Sequence, residues 1–129
     1  MPASKPKPKR VLVVDDDPIQ REFAQMNLAS SGVQIVVAAS AMEAQRTLAS
    51  GGCDLVVSDY EMPGMNGLEL IAAIRQNPAT RKLPIILATS SEDLATMNAA
   101  HRLGISSFAL KPVNWRTLEI QVRNALQGG

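Results

Sequence analysis

Five short, mainly apolar runs recur along the chain: Val11 to Val14, Val33 to Ala38, Leu55 to Val57, Pro84 to Ala88 and Ser107 to Leu110. They are solid blocks rather than alternations of apolar and polar residues, the pattern of strands covered on both faces. The stretches between them carry apolar residues at helical spacing. A strand covered on both faces needs a helix layer on each side of its sheet, and strands separated by helices run parallel. The expected class is α/β: a doubly wound, five-stranded parallel sheet with five helices on both faces.

Local signals mark where the helices begin and end. Asp17 is a capping residue, Pro18 suits a first helical position, and Gln20 completes a capping-box spacing. Ile19, Phe23 and Met26 form the first helical stripe, and Gly32 offers a stop. Ser40 and Glu43 repeat the capping pattern for a helix running to Gly51. Pro63, Gly64, Asn66 and Gly67 make a turn segment, followed by the stripe Leu68, Ile71 and Ile74. The next helix is expected to start near Ser91, with Glu92 and Asp93 in its first turn, and to end near Gly104. Asn114 precedes the last helix, with Leu118, Val122 and Ala125 on one face.

A length of 129 residues suits one domain. The 46% hydrophobic content supports a packed core, and 3% aromatics make that core Val, Ile, Leu, Ala and Met. No apolar stretch approaches the roughly 20 residues of a membrane span, and MPASKPKPKR lacks the apolar segment of a secretory signal. The single cysteine, Cys53, has no partner for an internal disulfide, which fits a reducing cytoplasm. Lys5, Lys7, Lys9 and Arg10 fall in the first ten residues without an acid, leaving 9 basic against 12 acidic groups in the rest. Residues 1–9 read as a disordered, solubilising Pro/Lys tail, 10–127 as the folded domain and 128–129 as a terminal Gly tail. Four charges without interleaved aromatics are a poor nucleic-acid signature.

Asp15, Asp16, Asp59, Thr89 and Lys111 all follow apolar runs. Parallel strands point one way, so these residues gather at the carboxyl edge of the sheet, where ligands bind in such folds. Carboxylates crowded there repel one another, and a proton or a cation must relieve them. Oxygen ligands in a small carboxylate set suit Mg²⁺, with Mn²⁺ a substitute. One His and one Cys without ligand spacing make zinc a poor fit. A divalent ion, the Lys111 ammonium and the Thr89 hydroxyl describe a phosphoryl site, with Asp59 as the nucleophile that forms an acyl phosphate. His101 reads as a surface residue and Cys53 as a turn residue.

The runs VLVVDDDP, DLVVSDYEMPGMNGLELI, PIILATS and FALKP resemble the response-regulator receiver domains of two-component signalling, including the chemotaxis-type single-domain regulators. The resemblance covers roughly residues 9 to 127. It implies a flavodoxin-like strand order, 2-1-3-4-5. It further implies that Asp59 is the phosphoacceptor, that Asp16 meets Mg²⁺ directly and Asp15 mainly through water, and that the Glu61 backbone carbonyl also ligates the ion. Thr89 matches the switch hydroxyl, Lys111 the phosphoryl-contacting lysine, Pro112 a residue whose preceding peptide is often cis, and Phe108 the switch aromatic. Phe108 lacks the hydroxyl of the commoner tyrosine, and it either switches or simply packs. Ser90 replaces a frequent alanine. Glu61 and Ser91 fall at variable positions that affect phosphoryl lifetime. Met62 and Met65 flank the phosphorylation loop, within reach of a kinase, and Trp115 belongs either to the edge of the last helix or to a partner surface.

The function implied is a switch rather than a conventional enzyme. It is phosphorylated by a sensor histidine kinase or a histidine phosphotransfer protein. It then acts on a downstream protein through the face of the fourth helix, fifth strand and fifth helix, a face that can also pair two copies. An aspartyl-phosphate hydrolase of the haloacid-dehalogenase type is the enzyme alternative, but its paired acids and cap have no match here. A pseudo-receiver scaffold is the other alternative, and the intact acid pair, Asp59, Thr89 and Lys111 argue against it.

Overall fold

The computed structural model describes residues 7–30, 32–90 and 92–128. Strands and helices alternate without exception: β1 (Lys9–Val14), α1 (Pro18–Leu28), β2 (Val33–Ala38), α2 (Ala41–Ala49), β3 (Leu55–Asp59), α3 (Gly67–Gln76), β4 (Ile85–Thr89), α4 (Leu94–Arg102), β5 (Ser107–Leu110) and α5 (Trp115–Leu126). All neighbouring strands pair in parallel, in the order β2-β1-β3-β4-β5. The chain therefore steps outward from β1 to β2 and then crosses to the other side of β1. A crevice opens at the carboxyl ends of β1 and β3, where that direction reverses.

Successive side chains of a strand point to opposite faces, and here the alternation sorts the core into two layers. Val11, Val13, Leu55, Val57, Ile86, Ala88 and Ala109 pack with Ala24 and Leu28 of α1 and with Leu118, Val122 and Ala125 of α5. Leu12, Val14, Val56, Ile85 and Leu87 pack with residues of α2, α3 and α4. β3 and β4 are buried along their whole length, which explains their solid apolar sequence.

Several expectations shift. Lys9, expected in the tail, opens β1 and donates its N–H to Gly32 O at 2.8 Å; residues 1–6 of that tail and Gly129 lie outside the described residues. The stripe marking α1 faces out: Ile19, Phe23 and Met26 are 58%, 41% and 70% exposed, and small Ala24 with Leu28 makes the inner contact. The Asp17 cap is present, but its carboxylate accepts from Ile19 N at 2.9 Å, and Gln20 turns toward the crevice. Ser40 caps α2 through Glu43 N at 3.1 Å, while the Glu43 carboxylate accepts from Ala39 N rather than from Ser40. A full reciprocal capping box appears one helix later, between Asn66 and Glu69. α4 begins at Leu94 with Asp93 as its cap, not inside its first turn; Ser91, the expected start, lies outside the described residues.

Candidate functional site

The crevice is a pocket of about 440 Å³. Its floor is built by strand ends. Asp15 follows β1 and extends the ladder by one residue, its N–H donating to Ala38 O at 3.0 Å. The Asp15 carboxylate then accepts from Asp17 N at 2.9 Å, and its backbone oxygen accepts from Arg21 Nη1 at 2.8 Å. Asp59 closes β3. Carboxylate oxygens of Asp15, Asp16 and Asp59 all lie within 4.8 Å of one another. Asp59 is only 4% exposed, whereas Asp15 is half-buried and Asp16 faces solvent.

Lys111, one residue past β5, brings the counter-charge: its ammonium donates to Asp59 Oδ1. The Glu61 N–H also donates to that oxygen, at 3.3 Å. Burial pushes the Asp59 carboxyl above its ordinary value, with Lys111 working against the shift and the Asp16 charge adding to it. Burial likewise raises Asp15, and the charges of Asp59 and Asp16 act in the same direction. Burial opposes the charge on Lys111, but its bond to Asp59 wins and the ammonium is held above its usual value. Carboxylates crowded this closely, two of them pushed up by burial and with Lys111 the one cation among the described residues lining the pocket, favour a further positive charge. The all-oxygen donor set fits a hard divalent ion such as Mg²⁺.

The pocket's position depends on a missing side chain. Gly67 opens α3 directly beneath the end of β3, and its N–H donates to Tyr60 O at 2.9 Å. A Cβ there would collide with the Asp59 carbonyl oxygen and stand 2.8 Å from Tyr60 Cα. Ser58, fully buried, donates its hydroxyl to the same carbonyl at 3.0 Å.

Asp15, Asp16, Asp59, Glu61 and Lys111 thus line one pocket. Thr89 and Phe108 do not line it. Thr89 is fully buried at the end of β4, on the alternation of Ile85 and Leu87. Phe108 is partly buried against the same layer, beside a second cavity of about 300 Å³ between β5 and α5. The Phe108 carbonyl accepts from Gln121 Nε2 at 2.8 Å. The Lys111–Pro112 peptide is cis.

Sequence reading missed part of the wall. Gln20 and Phe23 from α1, and Val113 and Trp115 after β5, complete the pocket. Phe23 and Trp115 meet edge to face with centroids 6.3 Å apart. Phe23 alone carried a signal, its helical spacing with Ile19 and Met26, which locates a face without saying what it faces.

The family model of the response regulator receiver domain matches residues 11–123. The chain is 35% identical over 121 residues to the transcriptional regulatory protein GlrR of Escherichia coli, covering 94% of this chain and 27% of that protein. It is 32% identical over 120 residues to the two-component response regulator ARR5 of Arabidopsis thaliana, covering 84% of this chain and 65% of that one. It therefore spans less than two thirds of either relative. Among solved structures, a response regulator receiver protein from Pseudomonas putida superposes with a TM-score of 0.86 at 33% identity, covering 94% of this chain and 99% of that one. With the family model spanning most of the chain and the strand order agreeing, the chain belongs to the response regulator receiver domain family of two-component signalling.

Proposed function

We propose that the protein is a phosphorylation-dependent switch in which Asp59 accepts a phosphoryl group from a sensor histidine kinase or a histidine phosphotransfer protein. The observation that carries this reading is the Asp59 carboxylate, paired with the Lys111 ammonium and within 4.8 Å of the Asp15 and Asp16 carboxylates. An Asp59 oxygen attacks phosphorus of the donor's phosphohistidine; the new P–O bond forms as the P–N bond breaks, and the imidazole leaves with a proton. Asp15, Asp16, Asp59 and the Glu61 carbonyl are the groups that would hold Mg²⁺, or Mn²⁺ in its place. When bound, that ion supplies positive charge against the carboxylates and the transferring phosphoryl oxygens. Lys111 holds one Asp59 oxygen before transfer and neutralises phosphoryl charge after it.

Modification adds roughly −1.5 to −2 charges. The Thr89 hydroxyl moves to donate to the new oxygens, and Phe108 turns inward to fill the space it leaves. Shifting a two-state equilibrium from about 1:99 to about 99:1 takes about 5.5 kcal/mol. Two or three charge-assisted hydrogen bonds of about 1.5–3 kcal/mol each are of that size. The resulting change in the α4–β5–α5 face would alter binding of a downstream protein or of a second copy. Exposed Ile19, Phe23 and Met26 supply an apolar surface on α1, of which Phe23 lines the pocket, for the phosphodonor protein. The domain runs from β1 through α5 and acts in the cytoplasm as a switch rather than a conventional enzyme; no helix among the described residues is long and apolar enough to cross a membrane.

Intact-mass analysis with acetyl phosphate, with and without Mg²⁺, tests the reading. Wild type should gain one phosphoryl mass only with the ion, and Asp59→Asn should gain none. Equal, metal-independent labelling of both would remove Asp59 as the acceptor.

A further inference from the structure

One polar contact ties together two loops that leave different strands. Glu61 follows β3 and Ser90 follows β4, 29 residues apart in the chain. Ser90 gives both of its donors to a single oxygen, Glu61 Oε1: the hydroxyl at 2.7 Å and the N–H at 3.3 Å. Donors converging on an ionised acceptor make a stronger contact than a neutral pair. The same two bonds hold the Glu61 carboxyl below its ordinary value.

We propose that the Glu61–Ser90 contact is a latch that holds Ser90, at the end of β4, in its unphosphorylated arrangement and opens when Asp59 is modified. What opens the latch rests on the phosphorylation reading; what it holds does not. Ser90 follows Thr89 directly, so Thr89 cannot shift toward the pocket without carrying Ser90 along. Beyond it, α4 fully buries only Ala100 among its residues, and its first residue, Leu94, is 70% exposed. The far end of α4 is pinned by Arg75, whose Nε and Nη2 donate to Leu103 O at 2.6 Å and Gly104 O at 3.2 Å. The same guanidinium reaches Leu83 O at 2.7 Å. One end of the helix is thus anchored to its neighbours, and the other begins at Leu94, shortly after the latched Ser90.

The force that opens the latch is electrostatic. Glu61 lines the pocket with Asp15, Asp16 and Asp59, and Lys111 is the one cation among the described residues lining it. A phosphoryl group on Asp59 adds negative charge there and repels the Glu61 carboxylate. The latch is therefore weaker in the modified protein, and that difference between the two states is what a population shift requires.

Hydrogen exchange on the unphosphorylated, metal-free 129-residue chain tests the latch by itself. Ser90→Ala and Glu61→Ala should each speed exchange of the Leu94–Met97 amides about threefold to tenfold, the range of one net hydrogen bond. Ser90→Thr, which keeps the hydroxyl, should match wild type, and exchange in β1 and β3 should be unchanged in all variants, which separates local release from unfolding. Equal exchange in wild type and both alanine variants would overturn the latch. Acetyl phosphate with Mg²⁺ is then added to wild type, with intact mass as the control for modification. Exchange at Leu94–Met97 should rise to the Ser90→Ala level in the modified fraction; no rise in that fraction would overturn the opening step. An absent phosphoryl mass would instead count against the phosphorylation reading.

Discussion

Lys111 donates its backbone N–H to the carbonyl oxygen of Thr89 at 3.0 Å. The two residues sit at one level of the sheet, yet their side chains serve opposite layers. The Lys111 ammonium reaches Asp59 on the side of α1 and α5. Thr89 continues the alternation of Ile85 and Leu87, which face α2, α3 and α4. In the proposed switch, the lysine that steadies the acceptor and the hydroxyl that responds to it would be back-to-back residues joined through the main chain.

The two roles should separate on mutation. Lys111→Met should slow labelling by acetyl phosphate by about a hundredfold, the usual cost of losing a group that stabilises developing charge. Thr89→Val should label at nearly the wild-type rate but lose the phosphorylation-dependent change in hydrogen exchange of α4. Labelling rates by intact mass and exchange on the same samples check both outcomes.

The raised Asp15 and Asp59 carboxyls give a pH dependence of definite sign. The folded metal-free protein binds these protons more tightly than the unfolded chain, whose carboxyls titrate near the ordinary value of 3.8. Stability therefore falls as pH rises from that value through the higher folded ones, and the penalty is full above them. Asp15→Asn should remove its share, with a higher urea midpoint than wild type at neutral pH in chelator and a shallower pH slope. Saturating Mg²⁺, at about a hundred times its Kd, should stabilise wild type by about 2.7 kcal/mol and the variant by less.

Gly67→Ala should cost about 1–3 kcal/mol, the range for overpacking a tight site. The added methyl meets the Asp59 carbonyl and Tyr60 Cα, which are backbone and cannot rotate away. Urea denaturation measures the loss, and labelling of Asp59 should slow because the strand end that carries it must shift.

Trp115 is the only tryptophan, and it lines the same pocket as the carboxylates. Mg²⁺ titration should change its fluorescence along a saturable curve in wild type. Asp16→Asn should flatten that curve, while Met42→Ala, on the exposed face of α2, should leave it unaltered.

The exposed α1 residues should matter to a protein donor alone. The double variant Ile19→Ser/Met26→Ser should reduce phosphotransfer from a histidine phosphotransfer protein by about tenfold, as expected for about 1.4 kcal/mol of lost contact. Labelling by acetyl phosphate, which needs no docking surface, should stay at the wild-type rate.

Much of this molecule was legible before any coordinates. β2 and β5 have the expected limits, and α5 buries the expected Leu118, Val122 and Ala125, because buried strands and a one-sided helix write themselves into local pattern. The residues at the ends of apolar runs converge because parallel strands share a direction. The inner face of α1 was not legible, for a physical reason. Periodicity identifies a stripe but not its orientation, and close packing on a sheet favours the small Ala24 over Phe23. A stronger hint lay in the pairing of Ala24 with Leu28, which Ala44 and Leu48 repeat on α2. Gln20, Phe23 and Trp115 at the pocket were not legible, because neighbours across α1 and α5 share no local pattern.

The alternation along β5 carries a final consequence. If β5 slid by a single residue against β4, Leu110 would replace the lysine beside Asp59, and the ammonium would turn toward the apolar layer that holds Phe108. Charge neutralisation would vanish without any change of composition. Insertions or deletions inside the strands should therefore abolish activity outright, while the turns at the opposite end of the sheet can vary in length without moving a single reactive group.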